Sequence, residues 1–146
     1  MTETMTGGCQ CGRVRYVASL ADDEAYLCHC RMCQRAVGNV AAALKTLPKA
    51  HVRWERAPDY YASSPIARRG FCSACGTPLT FDYPDSPRMD LTVGSFDDPA
   101  RFRPTHHFGA ESRLRAWDDT RGLPETRSDE YAPLNARWEA AGGRPD

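Results

Sequence analysis

Cys9-Gln10-Cys11-Gly12 and, much further along, Cys72-Ser73-Ala74-Cys75-Gly76 are the stretches that decide how this chain folds. In a Cys-x-x-Cys-Gly turn, the two intervening residues let both sulfurs face one ion about 2.3 Å away. The glycine permits a left-handed turn that aims backbone N–H groups at the thiolates. The first stretch has the same layout with one residue fewer. Two such pairs supply the four ligands of a closed structural zinc site. Cys9, Cys11, Cys72 and Cys75 would then clamp the N-terminal segment onto the middle of the chain.

A third group, Cys28-His29-Cys30-Arg31-Met32-Cys33, brings the total to seven cysteines in 146 residues. An odd number cannot all pair as disulfides. Cys28, Cys30 and Cys33 are close enough in sequence to bind one ion locally, and three protein ligands leave a tetrahedral position vacant, the mark of a catalytic metal site. Four plus three gives one closed and one open site, so two zinc ions per chain are expected. Letting the triplet borrow a ligand from another group would strand cysteines. Two other readings of the triplet stand beside this one. A second structural zinc completed by His29 or another imidazole is the first. An iron–sulfur cluster is the second, although the usual spacings of four cysteines are lacking. His29 lies between two ligands, so its ring is expected to point away from the ion they share.

The surroundings agree with metal rather than disulfides. The N-terminus has neither a basic region nor an apolar run of signal-peptide type, and the longest apolar run, residues 40–44, is far below the roughly 18–20 residues of a membrane helix. A cytoplasmic chain is expected, in a compartment where thiols stay reduced. The 19 basic and 19 acidic residues balance. That argues against a nucleic-acid partner, whose phosphates are bound by clustered Lys and Arg. No membrane partner is expected either.

Short strand-like pieces separated by turn residues recur at 14–17, 40–44, 51–54, 60–61, 68–71, 78–81, 89–93 and 105–108. Helical signals are few: residues 31–37 before Gly38, a short start at 97–100 with Pro99 just inside, and a tail helix over 132–141. No repeat or linker marks a second domain. A mostly-β single domain spanning 1–146 is predicted, with metal supplying rigidity that long elements do not.

Three pieces together carry a resemblance: residues 7–16 (GGCQCGRVRY), 28–35 (CHCRMCQR) and 71–79 (FCSACGTPL). Residues 63–65, 93–99 and 111–117 fit as well. The sequence resembles the glutathione-dependent formaldehyde-activating enzyme family, also called the centromere protein V-like family, over about residues 5–124, with a C-terminal extension over about 125–146. The resemblance implies small zinc-stabilised sheets of the β-tent type with few short helices. It implies structural zinc on Cys9, Cys11, Cys72 and Cys75, and catalytic zinc on Cys28, Cys30 and Cys33. It also implies carbon–sulfur lyase activity, the formation of S-(hydroxymethyl)glutathione from formaldehyde and glutathione, with a small thiol and a small aldehyde as partners.

The residues support that chemistry on their own terms. An ion held by three thiolates carries a net negative charge and is a weak activator of water. A thiol is the better fourth ligand, because zinc deprotonates it and thiolate is the nucleophile. Arg31 and Arg35 beside the triplet, and Arg68 and Arg69 before the last cysteine pair, are candidates to offset the charge or clamp substrate carboxylates. Arg31, Arg35 and Arg69 are the substrate-binding choices. His29 is the proton-transfer choice, ahead of His106, His107 and Asp98. Trp54, Trp117, Tyr60 and Tyr61 read as core or groove walls. The alternative function is a non-catalytic zinc-stabilised binding module, or a carrier of thiols and aldehydes.

Overall fold

The computed structural model describes residues 3–145. Its division into compact units falls after Leu114. The first unit holds every strand. Strand β1 (Glu3–Gly8), β2 (Arg15–Leu20) and β5 (Val52–Arg56) form an antiparallel sheet in the order β1-β2-β5. A larger sheet contains β3 (Glu24–Cys28), β4 (Ala42–Pro48), β6 (Asp59–Tyr61), β7 (Arg68–Phe71), β8 (Pro78–Asp82), β9 (Arg88–Thr92) and β10 (Arg103–Phe108). Its order is β10-β3-β4-β9-β8-β7-β6, and every pairing is antiparallel except β10 with β3.

Alternation builds the first core. In β2 the even-numbered residues Tyr16, Ala18 and Leu20 are buried while their neighbours are half-exposed, the period-two pattern of a one-faced sheet. They pack with Val14, Leu47, Leu79, Leu91 and Phe96, and with Cys9 and Cys72. Tyr16 stands edge-on to Trp54 and Phe96, with ring centroids 5.4 and 5.5 Å away. Trp54 is thus the core wall expected of it. Gly7 is required here, because a Cβ would stand 2.4 Å from the Tyr16 ring. A smaller core gathers Cys28, Cys33, Ala42 and Leu44 beneath helix α1 (Arg31–Val37).

The mostly-β architecture with few short helices is the expected class. Helix α1 has the predicted bounds, closed by Gly38 in the left-handed conformation. Two strands escape the sequence pattern, β1 and β3. The expected strand at 40–44 lies two residues later, as β4. In the second unit, helix α2 (Ala132–Ala140) coincides with the predicted tail helix and has no buried residue. Among the described residues, no helix is long and apolar enough to cross a membrane.

Candidate functional site

The two cysteine pairs meet. The sulfurs of Cys9, Cys11, Cys72 and Cys75 all lie within 4.8 Å of one another, with Cys9 to Cys11 at 3.6 Å and Cys11 to Cys72 at 3.8 Å. Bonds of 2.3 Å to a tetrahedral ion space its sulfurs about 3.8 Å apart, so the set fits zinc. Both turns are built alike. Gly12 donates its N–H to the Cys9 carbonyl and Gly76 to the Cys72 carbonyl, and both glycines sit at φ +81°. The Val14 N–H reaches the Cys9 sulfur at 3.2 Å. Hydrogen bonding by the Thr77 hydroxyl and backbone holds the Cys75 thiol down at about 5. Arg13 ties the clamp to β6. Its guanidinium donates to Asp59 at 2.7 Å, to the Ser73 hydroxyl at 3.2 Å and to the Cys72 sulfur at 3.8 Å.

The triplet is a second, separate group, with its sulfurs again within 4.8 Å of one another and Cys28 to Cys30 at 3.6 Å. Cys28 ends β3, Cys30 is the N-cap of α1, and Cys33 lies in the first turn. The Cys33 N–H donates to the Cys30 sulfur at 3.3 Å, so the side chain that caps the helix is also one of the three clustered sulfurs. Burial pushes the Cys28 thiol up to about 12 and raises Cys33 despite Arg69. Burial also opposes ionisation of Cys30, but the Cys33 amide and the neighbouring thiols outweigh it and lower that group. Three thiolates this close, two of them buried, need a cation to coexist, and the spacing suits zinc.

The loop around the triplet is pinned by the chain near β10. The His29 N–H donates to the Phe108 carbonyl at 2.8 Å. The buried Gln34 amide donates to the carbonyls of His29 and Ser112 at 2.8 and 3.1 Å. Gly109, at φ +64°, lets the backbone approach: a Cβ there would stand 2.8 Å from the Cys30 nitrogen.

All three cysteines line a cavity of about 500 Å³ shared with Tyr26, Thr46, Arg69, Phe81, Asp90 and His106, among others. A second cavity of about 570 Å³ adjoins it, with Met32, Leu44, Ser63, Arg69 and Phe81 on both walls. The sequence-derived candidates divide accordingly. Arg69 faces both cavities, donates to the Cys33 sulfur at 3.4 Å and lies 4.8 Å over the Phe81 ring. Arg35 lines the second cavity only. Arg31 lines neither and donates to the Gln34 side chain. Buried His29 pairs through Nε2 with His107 Nδ1 at 2.8 Å and is not a wall of either cavity. His106 lines the first cavity, stacked on Tyr26 with centroids 5.0 Å apart. Arg68 pairs with Asp82. Asp98 stands at the N-cap position of a short 3₁₀ turn without a capping side-chain hydrogen bond. Tyr61 is a wall of the second cavity.

The pattern of the glutathione-dependent formaldehyde-activating enzymes matches residues 4–112. The chain belongs to that family. Among family-like relatives, a Schizosaccharomyces pombe protein named an uncharacterized lyase is 32% identical over 77 residues. The match spans 53% of this chain and 56% of the yeast protein, little more than half of each. A crystal structure of a Rhodobacter sphaeroides protein shares the fold, with a TM-score of 0.55 and 23% identity, over 70% of this chain and 99% of that one. The matched region contains both cysteine clusters and both cavities.

Asp90, Tyr26 and Thr46 are cavity residues outside every sequence motif. The available signal was an aspartate inside an otherwise strand-forming run, a residue type depleted in strands.

Proposed function

We propose that this chain forms or cleaves adducts between a small, glutathione-like thiol and an aldehyde such as formaldehyde, as a zinc-dependent carbon–sulfur lyase. One observation carries the reading. Three cysteine sulfurs gather on the wall of a ligand-sized cavity, and among the described residues no fourth cysteine, histidine or carboxylate joins them. Family membership and the yeast relative's name support a lyase-type role.

In this reading Cys9, Cys11, Cys72 and Cys75 hold structural zinc, and Cys28, Cys30 and Cys33 hold catalytic zinc. When bound at the triplet, zinc supplies an exchangeable position that favours the thiolate form of an incoming thiol. The chain's own groups do the rest. Arg69 sets a positive charge beside Cys33, where it offsets the cluster and can anchor a substrate carboxylate. Arg35 offers a second anchor in the adjoining cavity. Met32, Leu44 and Phe81 line both spaces with apolar surface that limits water around the reacting carbon. His29, paired with His107, keeps the ligand loop against β10.

The test is metal content together with two-dimensional exchange NMR of hydroxymethyl-glutathione. The expected result is about two zinc ions per chain, one of them perturbed by glutathione, and exchange faster than the uncatalysed rate. Two inert ions with no acceleration for any common thiol would leave a binding module.

A further inference from the structure

The strand register builds a row of functional side chains across the cavity floor. Arg69 on β7 is directly opposite Phe81 on β8, Phe81 is opposite Asp90 on β9, and Asp90 is opposite Thr46 on β4. All four line the cavity that the triplet faces. Side chains directly opposite in antiparallel strands have Cβ atoms about 4.5–5.5 Å apart, so the row is continuous. It begins at a guanidinium against the Cys33 sulfur, passes a buried carboxyl and ends at a hydroxyl. Asp90 is 7% exposed. One of its oxygens accepts from the Tyr26 hydroxyl at 2.5 Å and the other from the Thr46 hydroxyl at 2.6 Å. Among the described residues it is the only carboxyl in the cavity wall. A buried carboxyl costs stability that any aliphatic residue at the same place would not, yet one stands in the site.

We propose that Asp90, held by Tyr26 and Thr46, is the group that gives a proton to the aldehyde oxygen during adduct formation and takes it back during cleavage. This rests on the thiol–aldehyde reading above. In the forward direction a thiolate lone pair forms the C–S bond to the carbonyl carbon. The C=O π pair moves to oxygen, and that oxygen takes the Asp90 proton. Solvent then returns to the carboxylate the proton that the thiol lost, so thiol plus aldehyde gives hydroxymethyl thioether with nothing left over. Cleavage runs these steps backwards.

The surroundings suit the task. Burial dominates and raises the Asp90 carboxyl, outweighing the hydroxyls of Thr46 on β4 and Tyr26 on β3. Arg88 on its own strand acts to lower it, and Asp82 on β8 to raise it. The carboxyl therefore keeps its proton to higher pH than an exposed aspartate, towards the range in which a general acid works best. The sign for catalysis follows. Formation declines as pH rises through the Asp90 titration, while thiolate supply drives the opposite limb.

The experiment compares wild type with Asp90→Asn and Asp90→Glu, each loaded with zinc and checked for metal content and melting, by exchange NMR between pH 5 and 9. Asp90→Asn is expected to bind zinc normally and to lose about 100-fold in turnover, the lower end of general acid–base contributions. Its KM for thiol should be little changed, its high-pH limb gone, and activity partly restored in Asp90→Glu. Thr46→Val, which removes one hydroxyl from the carboxyl, should move the high-pH limb without abolishing it. An active wild type with Asp90→Asn at full rate and an unaltered pH profile overturns this assignment alone. A wild type that accelerates nothing overturns the thiol–aldehyde reading and this one with it.

Discussion

The two cysteine clusters each gather their sulfurs within 4.8 Å of one another and differ in how the chain supplies them. The clamp of Cys9, Cys11, Cys72 and Cys75 supplies four sulfurs from two loops far apart in sequence, packed on the larger core. The triplet supplies three sulfurs from one short segment and presents them to a cavity. A site that spends four ligands has nothing left for substrate and gains a crosslink; a site that spends three keeps chemistry and gives up rigidity. The second-layer contacts match. Around the clamp they tie one loop to the next, as with Arg13 bridging Asp59 and Cys72. Around the triplet they open onto the cavity through Arg69.

The contrast breaks most plainly at Cys72. Cys72→Ser should lower zinc from about two ions to at most one per chain and abolish cooperative melting, because the crosslink between the sheets goes with it. Elemental analysis and circular dichroism decide this; a variant with wild-type melting would mean that the clamp carries no structural load. Cys30→Ala should do the reverse. It loses the triplet ion and all catalysed exchange, while the fold gives up only a helix cap, about 1 kcal/mol or a Tm shift of about 2–4 °C. Equal unfolding in both variants would erase the distinction. The smallest effect is expected at Arg13→Ala, since the Arg13–Asp59 pair is well exposed. Tm should fall by about 2 °C, with both ions kept and exchange rates unchanged.

Much of this arrangement was legible from local spacing. The partition of seven cysteines needed only the distances along the chain, and α1 was bounded by Cys30, which is both helix cap and a member of the triplet, and by Gly38. What escaped was non-local. β1 reads Glu-Thr-Met-Thr-Gly-Gly, and its two glycines argue for a turn until Gly7 is seen beneath the Tyr16 ring. β3 pairs in parallel with β10, whose residues come much later in the chain, so nothing in its neighbours announces it. Asp90 is the sharpest case. Its meaning lies in register with Phe81 and Thr46, and register is a property of paired strands that no single strand displays. The arginines split for the same reason: Arg69, 36 positions from Cys33 in sequence, faces the cavity because β7 pairs with β8, whereas Arg31, inside the triplet segment itself, turns along the helix to Gln34.

Cys11 and Cys72 touch across 61 positions of chain, whereas Cys28 and Cys30 touch across two. Closing a long loop carries an entropic cost that a short turn escapes. The triplet is therefore able to capture its ion while the chain is still largely unfolded, and the clamp is able to close only after both sheets have begun to assemble. On this schedule the open triplet is wired early, and the four-cysteine staple is fastened late, so scarcity of metal during synthesis would first produce chains with a loaded triplet and an unfastened fold.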